Sequence, residues 1–105
     1  MEVTFTASVW VYDGPGGWHF VTVPAGISAR IHALARGAAK PFGSVAVTAL
    51  IGHTRWATSI FWDRARGAYL LPVKALVRKK EQLREADTVE VTLLAALDEI
   101  SAGPG

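Results

Sequence analysis

The chain contains no cysteine, which removes disulfide scaffolds, thiolate zinc sites, iron-sulfur sites and thiol nucleophiles together. Charge is sparse, at 19% of 105 residues, and the longest apolar stretch falls well short of the roughly 18 residues a membrane-spanning helix needs. The first residues, Met1-Glu2-Val3-Thr4, show no positive leader and no apolar segment behind it, so a soluble cytoplasmic domain with no membrane contact is expected. Half the residues are hydrophobic. A chain of this size hides about two thirds of the surface it exposes when unfolded, enough for one packed core without staples. The expectation is a single domain over 1–97 and a flexible tail over 98–105, where Ser101-Ala102-Gly103-Pro104-Gly105 supports no regular structure.

The net charge of +2 hides an asymmetry. Between residues 53 and 80 lie seven cations, Arg55, Arg64, Arg66, Lys74, Arg78, Lys79 and Lys80, against the single anion Asp63. The rest of the chain carries twice as many anions as cations. Such polarity steers a protein toward phosphates or an acidic partner, although lysines on a short helix also serve simply to keep it solvated.

Val3, Phe5, Ala7, Val9 and Val11 alternate with Thr4, Thr6 and Ser8, the period-2 pattern of a strand with one buried face. Asp13-Gly14-Pro15-Gly16-Gly17 is a turn. A second strand over 18–23 is halted by Pro24. Ile27, Ile31 and Leu34 then recur at helical spacing, with Ser28 as the expected N-cap and Gly37 as the expected stop. Gly43 opens a third strand over 44–51. The order repeats: a β-rich stretch over 54–63, a turn at 64–67, a short strand over 68–71 halted by Pro72, a helix over 74–83, and a closing strand over 88–94.

At an offset of 50 the halves agree at Thr4/Thr54, Ala7/Ala57, Asp13/Asp63 and Gly17/Gly67; at an offset of 48, Pro24 meets Pro72 and Arg30 meets Arg78. The sequence thus predicts a mainly β fold, a six-stranded closed barrel made of two pseudo-twofold β-β-α-β halves with two short helices. Closure removes the two unprotected edges that an open sheet would leave. One conflict stands: the offset that aligns identities sets Ser59 opposite Val9, whereas an offset of 51 sets Ile60 there, so a bulge or slip is expected in the fourth strand and its inward face is open.

The run Gly52-His53-Thr54-Arg55-Trp56-Ala57-Thr58-Ser59-Ile60-Phe61, followed by Gly67-Ala68-Tyr69-Leu70-Leu71-Pro72-Val73-Lys74 and Arg78-Lys79, resembles a bacterial and archaeal family catalogued as domain of unknown function nineteen-oh-five. Val23-Pro24 upstream and Asp87-Thr88-Val89-Glu90-Val91 downstream extend the likeness to about Leu97. The resemblance implies a double-split β-barrel, the class that also holds the swapped-hairpin AbrB-type transcription factors, and it brings no assigned activity. In those factors two chains complete the barrel, whereas the tandem halves here can do so alone. This chain departs from the family in having Ala86 where a glycine usually precedes the aspartate that opens the last strand.

Three groups of residues are candidates for function. Lys74, Arg78, Lys79 and Lys80, with Arg64 and Arg66 from the preceding turn, could bind an anion or an acidic partner, because phosphate affinity grows with the number of cations on one surface. The competing reading is a solvated helix face on which Lys79 and Lys80 offset Glu81 and Glu85. Trp10 and Tyr12 fall on the polar side of the first strand and are candidate exposed aromatics, which Trp18, Trp56 and Trp62 could join or which a second small core could cover. His19, His32 and His53 show no metal-ligand spacing, and neither a nucleophile elbow nor a carboxylate pair is readable. No cofactor or catalytic residue is assigned. The expectation is a non-enzymatic binding or interaction module, monomeric or weakly dimeric, whose partner is an unknown protein or anionic ligand. A nucleic-acid binder of AbrB type is the runner-up, and an enzymatic or small-molecule-binding barrel comes last.

Overall fold

The computed structural model describes residues 1–36 and 43–97. Gly37, expected to end the first helix, and the expected tail over 98–105 lie outside the described residues. In chain order the elements are β1 (Glu2–Val11), β2 (His19–Thr22), α1 (Ala25–Ala35), β3 (Ser44–Ile51), β4 (Thr54–Asp63), β5 (Ala68–Pro72), α2 (Ala75–Glu81) and β6 (Thr88–Ala95).

All six strands pair antiparallel in the closed order β1-β2-β5-β4-β3-β6. The alternation in β1 does what it promises, turning Val3, Phe5 and Val9 inward while Thr4, Thr6 and Ser8 face water. Val45, Val47, Ala49 and Ile51 of β3, Val89, Val91 and Leu93 of β6, Val21 of β2 and Leu71 of β5 complete the same core. Each fully buried aliphatic side chain contributes about 1.5–3 kcal/mol relative to exposure, so the barrel interior is the main source of stability.

The strand registers are themselves two-fold. Val11 faces His19 in the first half and Trp62 faces Tyr69 in the second, and Val21 and Leu71 face each other across the junction of the halves. Backbone bonds repeat the symmetry: Val23 N–H donates to the Tyr69 carbonyl and Val73 N–H to the His19 carbonyl, both at 2.9 Å. Equivalence therefore runs at an offset of 51 between β1 and β4 and at 50 between β2 and β5. The bulge expected in β4 is not there; its pairing with β3 is unbroken from Ser44↔Phe61 to Ile51↔Thr54, and Trp56 and Ile60 point inward. The offset changes in the hairpin turn instead, which is one residue shorter in the second half.

Two further expectations change with it. Pro24 and Pro72 are not equivalent, since Pro24 precedes α1 whereas Pro72 is still paired with Phe20 inside the sheet. Ser28 is not the N-cap of α1; that position is Pro24. Ser28 is instead wholly buried, its Oγ donating to the Val23 carbonyl at 2.9 Å and accepting the Tyr69 N–H at 3.0 Å. Position 78 of α2 corresponds to it by the same offset, and there the Arg78 Nε–H donates to the Val73 carbonyl at 3.1 Å. One geometry, a side chain in the first helical turn bonded back to the strand end, is thus met by different chemistry in each half.

α2 stops at Gln82, which takes a left-handed conformation (φ 55°) while Leu83 N–H closes on the Arg78 carbonyl at 2.9 Å. This ends the helix earlier than its pattern suggested. Glu81 then reaches the β3–β4 hairpin, accepting the Thr54 hydroxyl at 2.7 Å and the His53 N–H at 3.3 Å. Gly52 lies directly under that carboxylate with φ +58°, so a side chain there has neither the space nor the conformation.

A candidate binding groove on the outer barrel wall

The β1–β2 hairpin is closed by the Tyr12 N–H bonded to the Trp18 carbonyl at 2.8 Å, and the loop between them folds back on its own rings. A Cβ on Gly14 would collide with the Tyr12 ring, and one on Gly16 (φ +99°) would sit 2.9 Å from the Trp18 indole. These two glycines let the backbone lie flat against both aromatics, fixing them in place without covering them. Tyr12 remains 49% exposed and Trp18 56%.

Phe61, on the outward phase of β4, is 44% exposed. Tyr12, Trp18 and Phe61 form the walls of one open groove of about 290 Å³, with Phe20, Leu70 and Pro72 also lining it. The Trp18 and Phe20 rings are near parallel, with centroids 6.2 Å apart and planes 14° apart. Beyond Phe20 lies Trp10, tilted against it at 5.2 Å. Trp10 is only half-exposed: the Arg66 guanidinium lies 4.2 Å from its ring centroid and its indole N–H donates to the Thr22 hydroxyl at 2.9 Å. Arg66 is held there by Asp63. Of the two aromatics singled out in the first strand, Tyr12 therefore belongs to the groove and Trp10 to its closed shoulder.

A second recess of about 340 Å³ shares Trp18 and Pro72 with the groove and contains His19, Lys74 and Arg78. Arg78 is anchored by its bond to Val73 and brings Nη1 to 3.4 Å from His19 Nε2. Lys74, exposed at the start of α2, forms no ion pair with a described residue. The six candidate cations do not line a single cavity. Arg64 and Arg66 lie in or beside the β4–β5 turn, Lys74 and Arg78 border the recess, and Arg78 and Lys79 border a separate depression of about 680 Å³ with Arg84 and Asp87. Lys80 is exposed on α2 and lines neither of these cavities.

The remaining candidates resolve into packing. Trp56 is buried in the core, and Trp62 is half-buried under His32, whose ring stacks on it at 3.9 Å. Tyr69 meets both edge-on, and its burial raises the phenol pKa. Asp63 is held below its ordinary value, chiefly by the Arg66 hydrogen bond, and its Oδ1 also accepts the Ala65 N–H at 3.0 Å. Among the described residues no cluster of three His, Asp or Glu side chains could hold a metal ion, and no helix is long and apolar enough to cross a membrane. Phe20, Phe61, Leu70 and Pro72 were not among the functional candidates read from the sequence. Phe61 could have been found from the offset of 51, which already turned Ile60 inward and its neighbour outward.

Residues 5–93 match the family model described as "Domain of unknown function (DUF1905)". No curated protein matches the chain.

Proposed function

Since the chain belongs to the DUF1905 family, whose description assigns no activity, we propose from its geometry that it is a non-enzymatic binding module. Its contact surface is the aromatic groove together with the cationic recess that adjoins it, and its ligand combines an apolar part with a negative charge. The observation that carries this reading is the gathering of Tyr12, Trp18 and Phe61 on one wall, three of the four large hydrophobic side chains left exposed among the described residues. Scattered exposed apolar residues are ordinary, whereas a contiguous set beside fixed charge marks a place where something docks. Lys74 and Arg78 at its border set the sign of the ligand's charge.

The test uses 1-anilinonaphthalene-8-sulfonate, a probe with fused rings and one anionic group, added to the folded protein. Its fluorescence is expected to rise with saturation, to lose at least tenfold in affinity in Trp18→Ala, and to weaken as salt screens Lys74. A probe response that is absent, or equal in Trp18→Ala, refutes the groove as a binding surface.

A further inference from the structure

The groove's chemistry narrows its occupant further, an inference that rests on the binding reading above. Three ways of holding a partner segment can be compared. Strand addition needs a free sheet edge, and the closed barrel leaves each of the six strands paired on both sides. Reading of nucleobase edges needs convergent donors and acceptors, and the groove is lined by four aromatic rings, Leu70 and Pro72. Docking of a polyproline II segment needs neither: its backbone stays solvated, proline supplies no N–H to satisfy, and its rings fill slots between aromatic side chains. The groove offers an open apolar surface between Tyr12, Trp18 and Phe61 on which such rings can lie. Its two polar handles, the Trp18 indole N–H and the Tyr12 hydroxyl, make no hydrogen bond to another described residue, so both are free to donate to the carbonyls such a segment presents.

Charge complementarity supplies the second half of the recognition. At the Trp18 and Pro72 end the groove opens into the recess of Lys74 and Arg78. Arg78 is fixed in position by the Val73 carbonyl, and Lys74 has no carboxylate to answer it among the described residues. We propose that the occupant is a proline-rich segment of a partner protein, bound as a polyproline II helix in the Tyr12, Trp18, Phe20 and Phe61 groove, with acidic residues directly flanking the prolines and facing Lys74 and Arg78.

The experiment titrates the full chain, labelled with nitrogen-15, with four probes: ten prolines followed by two glutamates, ten prolines followed by two lysines, five glycine-serine repeats followed by two glutamates, and a ten-residue oligothymidylate. The first probe is expected to shift the Trp18 indole N–H resonance and to bind at least tenfold more tightly than each of the others. Lys74→Ala should weaken it about threefold, in line with an exposed charge at a rim, while Trp18→Ala and Phe61→Ala should each abolish it. The two aromatic variants are independent of each other and alter exposed positions, so loss of fold is checked by the dispersion of the same spectra. Equal binding of the glycine-serine peptide, tighter binding of the oligothymidylate through Trp18, or no binding of the first probe overturns the proposal. If the anilinonaphthalene sulfonate still binds through Trp18 in that case, the groove reading stands and only the peptide class falls; if it does not, both fall.

Discussion

Replacing Ser28 by alanine tests the joint between the two halves. Ser28 is fully buried, and one hydroxyl serves two backbone groups, the Val23 carbonyl as acceptor and the Tyr69 N–H as donor. Alanine keeps the helix and leaves almost no cavity, and its better helix propensity returns at most about 0.5 kcal/mol. Against this stands the Tyr69 N–H, left buried without that partner at a cost of about 1–3 kcal/mol, and the lost bond to Val23, about 0.5–1.5 kcal/mol net. The expected destabilisation is therefore about 2–3 kcal/mol, which for a domain of this size lowers Tm by about 10–20 °C. Urea unfolding should show a lower midpoint at unchanged m, and hydrogen exchange should show the Tyr69 amide losing protection. A loss below about 0.5 kcal/mol, or a Tyr69 amide as protected as before, would mean that the hydroxyl does not hold α1 to β5.

Other positions offer independent checks. Ala86 sits at φ 74°, where a Cβ costs about 1–2 kcal/mol, so Ala86→Gly should stabilise the domain once the smaller backbone entropy loss is subtracted, read as a higher Tm. Gly52→Ala should destabilise strongly by colliding with the Glu81 carboxylate and by its positive φ; in the Gly52→Ala, Glu81→Ala double variant the two losses should be less than additive, because the collision is gone and only the strain remains. Asp63 has a lowered carboxyl pKa when folded, so its contribution to stability is present above the unfolded value near 3.8 and fades as pH falls through the lower folded value. Acid titration of stability should accordingly be shallower in Asp63→Asn below about pH 4, and an identical acid limb would refute the Arg66 pairing. The same variant should release Arg66 from Trp10 and raise the quenching of tryptophan fluorescence by acrylamide.

How far the site could be read beforehand follows from its parts. Tyr12 was legible because its place in the alternation of β1 sets it outside. Trp10 has the same phase, yet Arg66, which follows it by more than fifty residues, covers its face. The basic residues were legible as a charge excess, but which of them border a cavity was not, since that depends on Trp18 and His19 from another hairpin standing beside Lys74 and Arg78. Identities between the halves misled at Pro24/Pro72 and Arg30/Arg78, because equivalence is set by hydrogen-bond register, as Val23 and Val73 show, and not by which residue types recur. Ala86, which stands where the family usually has glycine, does take the left-handed conformation that favours glycine.

The amino-acid order alone settled the strand and helix inventory, since two-residue alternation and turn residues are local demands, and the duplication together with the need to pair every sheet edge pointed to the closed barrel, whose closing pair joins Glu2 to Leu94. Which rings meet outside the barrel was decided by tertiary pairing. Strand registers bring Phe20 beside Leu70 and Pro72, and a hairpin loop folded on Gly14 and Gly16 sets Tyr12 and Trp18 against Phe61. An outward side chain has no core to dictate its neighbours, so its surroundings follow only once distant strands have been laid side by side.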